Sequence, residues 1–269
     1  MSSAILTLLD RPAAAPTLLG AASHLADLVG GAALHFLVVR TPPEATIMPT
    51  EEVLTARRAE QIRARENARA AELTAAFEAW RPGARHPVDL SDVEAAADDV
   101  IAERGAAADF IVVARPSDHA LGAAPAALRA AMFATDRPVL LVPPGAAATF
   151  GRCVAVAWRD DGRAVKAVLP ALRLLTAATM VHVLQGVRDQ PASMTVPEVF
   201  RDHGVPAQMH ILSIDGGVFG QTLLREAHAL GADMVVMGAY GHNPLRELVF
   251  GGVTRFMLEH ADLPVLLRH

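Results

Sequence analysis

A short stretch that occurs twice in the chain decides its fold. Residues 108–113 read ADFIVV, and residues 232–237 read ADMVVM. Further along, DRPVLL at 136–141 is matched by DLPVLL at 262–267. In each copy a helical stretch of similar length separates the two segments. A repeat of this kind indicates duplication of one structural unit, and 269 residues are enough for about two domains of ordinary size.

The similarity extends more loosely to the beginning of each copy. Residues 5–9 match 154–158, and residues 34–37 match 181–184. Short apolar runs rich in β-branched residues alternate with helical patterns, which is typical of βαβ units and of parallel sheets covered on both faces. We therefore predict an α/β protein made of two tandem Rossmann-like domains, each a five-stranded parallel sheet with helices on both faces.

Local signals predict where the elements of the first copy lie. We expect its strands near residues 4–9, 34–39, 86–90, 109–114 and 138–142. Thr50 is predicted to cap the long helix that follows the second strand. Residues 91–94, which read SDVE, have the pattern of a capping box, and Gly105 is predicted to end that helix in the left-handed conformation. Gly231 is predicted to have the same role in the second copy.

Two prolines indicate how the copies are joined. Pro138 and Pro264 each open a final apolar strand, a position where the missing N–H costs least, so these strands should start at a sheet edge. We expect the two halves to pack as a pseudo-two-fold pair that covers both edges. The linker VPPGAAA at 142–148 separates a predicted domain at 1–145 from a second at 150–269.

Composition excludes several classes of partner. The chain has 29 acidic and 24 basic residues and a formal charge of −5, so it has no net basic field for nucleic acid or an anionic membrane. Charged, histidine and glycine residues interrupt the most apolar long stretch, 17–39, which argues against a membrane span. The single Cys153 excludes an internal disulfide framework and a thiolate zinc site, and its apolar neighbours predict a buried strand thiol. We expect a cytoplasmic protein.

The most informative motif follows the predicted strand at 234–237. From Gly238 to Thr254 the chain reads GAYGHNPLRELVFGGVT, and in open parallel sheets ligands bind beyond the carboxyl ends of the strands. Gly238 and Gly241 allow the backbone to approach a phosphate closely. Gly251 and Gly252 open a helix whose free N–H groups favour an anion.

Three side chains of this loop are candidates for contacts with the same anion. Thr254 would add a hydroxyl donor, while His242 and Arg246 would lie near the rim of the phosphate site. Glycine is also common in βα turns that bind no ligand, so a purely structural loop is an alternative.

The glycine spacing resembles that of a known family. Gly238-x2-Gly241-x9-Gly251, followed by Val253 and Thr254 and by LEHADLPVLL at 258–267, is similar to the universal stress protein family. The segment GGVT at 251–254 resembles a bacterial subset of it. The resemblance is strong over 150–269 and weaker but traceable over 1–145, so the chain resembles a tandem universal stress protein.

The resemblance implies a HUP-type fold and, for many members, ATP binding through the glycine loop. In this chain it assigns phosphate binding to backbone amides, those of Gly238, Gly241, Gly251, Gly252 and Val253. The chain departs from the family pattern at two positions. Gly252 stands where the family usually has Ser or Thr, and Arg159 stands where nucleotide-binding members place an Asp after the first strand.

The first copy departs in the opposite way. It keeps Asp10 after its first strand, but Ala114, Ser117 and residues 122–126, which read GAAPA, stand where the glycines are expected. The resemblance therefore implies that residues 1–145 form a degenerate domain without a phosphate loop. We expect at most one nucleotide per chain, bound by the second copy.

Three functions remain compatible with the sequence. The first is an ATP-binding stress-response module that acts without turnover. The second is an interaction or structural stress protein that binds no nucleotide, as Arg159 and the altered first copy suggest. The third is a slow ATPase. Familiar hydrolytic and metal motifs are absent from the sequence, so we expect a protein that is not an enzyme and holds no metal. We expect the two halves of one chain to form an intramolecular pseudo-dimer, and a homodimer of two whole chains is a further alternative.

Overall fold

A computed structural model gives the fold of the chain. It describes residues 3–46, 54–116, 126–159, 162–188, 194–214, 218–239 and 252–269. Predictions that fall elsewhere, such as the cap at Thr50, lie outside the described residues.

The described residues contain ten strands and eight α-helices. The strands are β1 (Ser3–Leu8), β2 (Ala32–Arg40), β3 (Val88–Glu94), β4 (Phe110–Ala114), β5 (Val139–Val142), β6 (Cys153–Trp158), β7 (Met180–Val187), β8 (Ala207–Ser213), β9 (Met234–Gly238) and β10 (Val265–Arg268). The helices are α1 (Ala15–Leu28), α2 (Ala56–Trp80), α3 (Ala97–Ala106), α4 (Ala126–Phe133), α5 (Arg163–Ala177), α6 (Glu198–Asp202), α7 (Phe219–Ala229) and α8 (Gly252–His260).

All ten strands belong to one sheet, in the order β3-β2-β1-β4-β5-β10-β9-β6-β7-β8. Each half has the same internal order, and its strands are parallel. The last strands of the halves, β5 and β10, pair antiparallel, and Leu140 lies opposite Leu266. The prediction from the prolines is confirmed, because each strand covers the edge of the other around a pseudo-two-fold axis.

The sheet separates two apolar cores. Alternate residues of each strand face the two sides, as the period of a strand requires. One core contains the buried faces of α1, α2, α5 and α6, and the other contains those of α3, α4, α7 and α8. Leu140 and Leu266 belong to the first core, and Leu141 and Val265 to the second. Both cores therefore run without interruption through the two halves.

The repeated Ala-Asp pair has a structural role. In the second half, the carboxylate of Asp233 accepts hydrogen bonds from the backbone N–H groups of Gly151, Arg152 and Cys153, at 2.8, 3.1 and 3.3 Å. Within the described residues of the first half, the carboxylate of Asp109 accepts a bond of 2.9 Å from the backbone N–H of Ala4. Each aspartate thus holds the beginning of the central strand of its half.

Two of the predicted helix signals are wrong. Ser91–Glu94 continues β3, where it pairs with β2 from Leu37 to Arg40, and α3 begins only at Ala97. Strand pairing therefore overrides the capping-box pattern. Gly105 lies inside α3 and has no positive φ.

The other helix ends confirm or refine the remaining signals. Gly231 has a φ of +71° and ends α7 as predicted. Thr55 caps α2, since its hydroxyl accepts the N–H of Arg58 at 3.3 Å. None of the described helices combines the length and the apolar character needed to cross a membrane.

Candidate functional site

The two carboxyl edges of the sheet are the places where a ligand is expected in this fold. Because β5 and β10 run antiparallel, the carboxyl edge of the first half faces one end of the sheet and that of the second half faces the other. The molecule therefore has two separate candidate crevices, which are built from different residues.

The second crevice contains the described parts of the glycine loop. Gly238 is the last residue of β9 and lies beside Arg268 of β10, whose carbonyl oxygen accepts the N–H of Ala239 at 2.7 Å. Because β9 and β10 are parallel, α8 runs back between them and begins, at Gly252, on the carboxyl edge. The structure thus brings Gly238 and the amino end of α8 to the same edge, as predicted.

The first turn of α8 presents backbone rather than side chains. Within the described part of the chain, no heavy atom lies within 4 Å of the position where a Cβ on Gly252 would stand. Val253 is half-buried, and Thr254 is only 4% exposed, so the side chain of Thr254 lies in the protein interior. The remaining predicted site residues, Gly241, His242, Arg246 and Gly251, lie outside the described residues.

Arginines surround this edge. Arg159 follows β6 and is exposed, and Arg188 follows β7, the neighbouring strand, and is also exposed. Arg268, at the end of β10, lies 3.5 Å from Asp136 of the first half. Sequence reasoning identified Arg159 and missed Arg188, although its position directly after an apolar strand was a signal. Arg159 and Arg188 are therefore the exposed cations of this edge, among the described residues, that an anion could contact.

The first crevice is occupied by side chains of its own half. Arg69, from α2, donates to the carbonyl oxygens of Asp10, at 3.0 Å, and Val39, at 2.7 Å. It also pairs with Glu66 at 2.6 Å, and Glu66 accepts the backbone N–H of Thr41 at 3.1 Å. One helix thus ties together the ends of β1 and β2, where the second half has the exposed Arg159 and Arg188.

The carboxylate of Asp10 lies in an unusual environment. Burial raises the pKa of Asp10, and the neighbouring charge of Arg11, with Nε 3.4 Å from Oδ2, opposes this effect without cancelling it. Oδ1 of Asp10 is buried and has no hydrogen-bond partner. A cavity of about 140 Å³, lined in part by Arg11, Thr17 and Ala114, lies at the same end of the sheet. Ser117 and residues 122–125, which the sequence places here, lie outside the described residues.

The described residues offer little for covalent or metal chemistry. They contain no group of three or more His, Cys, Asp or Glu side chains that could share a metal ion. Burial, together with the nearby charge of Asp233, raises the pKa of the Cys153 thiol, so this residue is a poor nucleophile. The second edge can hold an anion through amides and guanidinium groups.

Comparisons with known proteins agree with this architecture. The model of the universal stress protein family matches residues 154–269. A universal stress protein from Archaeoglobus fulgidus DSM 4304 is similar in structure over 100% of this chain and 96% of its own, with a TM-score of 0.73 and 15% identity. A functionally unknown protein from Pseudomonas aeruginosa PAO1 is similar over 99% of this chain and 92% of its own, with a TM-score of 0.63 and 17% identity. No curated protein sequence matches the chain. The match to the universal stress protein family covers the second half of the chain, and the first half repeats the same fold.

Proposed function

We propose that this chain is a stress-response protein that binds one adenine nucleotide, ATP, at the carboxyl edge of its second half and retains it without turnover. One observation carries the proposal. Gly238 and the amino end of α8, at Gly252, lie on the carboxyl edge of the second half, and the exposed Arg159 and Arg188 lie on the same edge. When bound, ATP would supply the negatively charged phosphate groups that these residues recognise.

The residues present fit a phosphate group. The first turn of an α-helix has N–H groups without intrahelical acceptors, and the helix dipole favours negative charge there. Among the described residues, nothing occupies the space beside Gly252 where an oxygen of the ligand would approach the backbone. Arg159 and Arg188 would pair with phosphate oxygens, for which a planar guanidinium has suitable geometry.

Stoichiometry follows from the contrast between the crevices. Arg69 and Glu66 bind backbone groups at the carboxyl ends of β1 and β2 in the first half, and they occupy space beyond these ends. The sequence of that half also lacks the glycines that would admit a phosphate. We therefore propose one nucleotide per chain.

The chemical groups at this edge favour binding of ATP over its hydrolysis. Phosphoryl transfer needs positioned Mg²⁺ ligands and a residue that orients water. The described part of the edge offers mainly amides and arginines, which stabilise the ground state of a phosphate as well as a transition state. We expect hydrolysis far slower than about 1 s⁻¹, the lower end of ordinary enzyme turnover. Turnover at that rate would favour the ATPase alternative.

Calorimetric titration with ATP, supported by native mass spectrometry of the gently purified protein, tests the proposal. We expect one site in the wild type, no binding in Gly251→Val, and binding weakened roughly tenfold in Arg159→Ala, the cost of one charge-assisted contact. Arg65→Ala, on the exposed face of α2 in the first half, is the matched control and should bind normally. Two sites per chain, or unchanged affinity in Gly251→Val, would contradict the site assignment.

Arg159 also supports a second candidate function. Its guanidinium stands where nucleotide-binding relatives are expected to have a carboxylate, and it could fill the space that an adenosine needs. In that case the chain is an interaction protein without nucleotide. Binding that appears only in Arg159→Ala would establish this alternative.

The proposed function includes the location of the protein in the cell and its binding partners. We propose a cytoplasmic protein, since its single cysteine forms no internal disulfide. The formal charge of −5 argues against a nucleic-acid partner. A homodimer of the whole chain would be additional to the pairing of β5 with β10.

A further inference from the structure

Two histidines form a hydrogen-bonded pair near one end of the sheet. His182 lies on β7, and His210 lies on the outermost strand, β8. Nδ1 of His182 is 2.9 Å from Nε2 of His210, and the ring centroids are 5.0 Å apart. His182 is only 7% exposed, and His210 is half-buried. This side-chain bond adds to the backbone ladder that attaches β8.

The number of protons on the two imidazole rings determines whether their hydrogen bond can form. A nitrogen–nitrogen hydrogen bond needs one imidazole to donate and the other to accept, so the pair can form when it is neutral or carries one extra proton. When both rings are protonated, every nitrogen is a donor and the two positive charges repel each other. Burial, followed by the charge of His210, lowers the pKa of His182 from its usual 6.5.

The strands around the pair contribute no opposite charge. Ala155 of β6 and Gln208 of β8 lie in register with His182. Cys153 lies two residues before Ala155 on the same face, and its raised pKa keeps the thiol neutral.

The helix over this face is α7. It presents the buried side chains of Leu223, Leu224 and Ala227 to the core on this side. Its charged residues Arg225 and Glu226 line a cleft of about 310 Å³ along the end of β8. The next titratable residue, His228, is bonded to Asp262 at 2.8 Å. A second proton on the pair is therefore not compensated by a neighbouring carboxylate among the described contacts.

The first half has a different arrangement at the matching position. His35, which corresponds to His182 in the repeat, lies 2.5 Å from Oδ1 of Asp89 on the outer strand β3. This pair joins an imidazole to a carboxylate, whereas a second proton on His182 and His210 removes their bond.

We propose that the bond between His182 and His210 is an acid-sensitive attachment of β8 to β7, which stabilises this strand at neutral pH and is lost when the second imidazole is protonated. The proposal goes beyond nucleotide binding and does not depend on it. The second half would therefore respond to acidification, and the response would occur in β8, the strand that lines the cleft beside α7.

The sign of the effect follows from linkage. A histidine whose pKa is lowered by folding binds fewer protons in the folded state than in the unfolded state. Its contribution to stability is complete above the unfolded value of 6.5 and is lost as the pH falls towards the lowered value. Weakening should therefore appear below neutral pH.

Hydrogen exchange of the full chain without nucleotide, at about pH 7.5 and about pH 5 and corrected for intrinsic rates, tests the proposal. We expect exchange of β8 amides to accelerate roughly two- to fivefold in acid, the usual effect of like charges on neighbouring strands, while β3 keeps its protection. His210→Gln places an amide nitrogen where Nε2 stood and does not titrate, so its β8 protection should lose the acid response. His35→Asn is the matched control, and its β8 should respond as in the wild type.

A nitrogen-detected NMR titration of the wild type provides a measurement that needs no variant. We expect the two rings to titrate in separate steps, the second below the ordinary range for histidine. Two independent titrations in the ordinary range, or β8 protection that does not change with pH, would overturn the proposal.

Discussion

The two halves of the sheet share a strand order and differ at their carboxyl edges. In the first half, Arg69 reaches from α2 to the carbonyl oxygens of Asp10 and Val39 and occupies the crevice. In the second half, the helix in the corresponding position, α6, spans only Glu198–Asp202, and Arg159 is exposed at the edge. The long helix α2 thus carries an arginine to the ends of β1 and β2, whereas Arg201 of the short helix α6 pairs with Glu198 of its own helix.

The difference shows which parts of a duplicated unit can change independently. The core faces of the strands are constrained by packing on both sides of the sheet, so a buried change costs several kcal/mol (about 2–5). Residues beyond the strand ends face solvent or a ligand and carry fewer packing constraints. The fold is therefore retained in both halves, while the binding groups differ.

The largest expected difference between the halves concerns the aspartates that hold the central strands. Asp233→Ala should lower the free energy of unfolding by about 3 kcal/mol, because three backbone N–H groups lose a charged acceptor. Asp109→Ala, which removes one such bond among the described residues, should cost about 1 kcal/mol.

Urea unfolding followed by tryptophan fluorescence can compare these variants. Trp80 reports on the first half and Trp158 on the second, so a Trp→Phe background at either position isolates one half. Equal losses in Asp233→Ala and Asp109→Ala would show that the number of hydrogen bonds does not set the difference.

A second, smaller effect concerns helix packing. A Cβ on Gly220 of α7 would stand 2.7 Å from Cβ of Phe256 on α8, so Gly220→Ala should cost about 2 kcal/mol by overpacking. Gly20, inside α1, has no heavy atom of the described chain within 4 Å of its Cβ position. Gly20→Ala is the control and should raise stability by about 0.5–1 kcal/mol. Calorimetric melting of both variants measures these opposite changes in stability. Higher stability of Gly220→Ala than of the wild type would contradict the prediction.

The smallest effect concerns the half-buried carboxylate group of Asp10 in the first half. Because burial raises the pKa of Asp10 above 3.8, ionisation costs stability as the pH rises through that range, and the cost persists at neutral pH. Asp10→Asn should therefore be slightly more stable than the wild type at neutral pH, and this advantage should disappear in strong acid. Denaturation midpoints across the acid range measure it, and a loss of stability at neutral pH would mean that the contact with Arg11 outweighs burial.

Much of the fold could be predicted from local patterns, and particular residues show where this failed. The strands near 109–114 and 138–142 were found within a residue of their true bounds, because short apolar runs between turn signals have few alternatives. Ser91–Glu94 was misread because the pairing of β3 with β2 is a long-range contact that a capping pattern does not reveal. Thr55 was missed as the cap of α2 for a similar reason, since Thr50 and Thr55 carry the same local signal.

Prediction of the candidate site was more limited. The position of Gly238 at the end of a strand and of Gly252 at the start of a helix followed from the sequence. The occupation of the first crevice by Arg69 did not, because Arg69 lies 59 residues from Asp10. The same holds for the pairing of His182 with His210, which are 28 residues apart.

The sequence by itself determined the duplication, the α/β class, the order of elements and the position of each proline-led strand at the edge of its own half. These properties follow from local periodicity and from backbone groups that each residue carries. Only the tertiary structure decided that β5 and β10 join the halves into one sheet, that the two crevices face opposite ends, and which side chains fill the first. Such contacts depend on the register and direction of distant strands, and these are selected by the packing of the whole molecule.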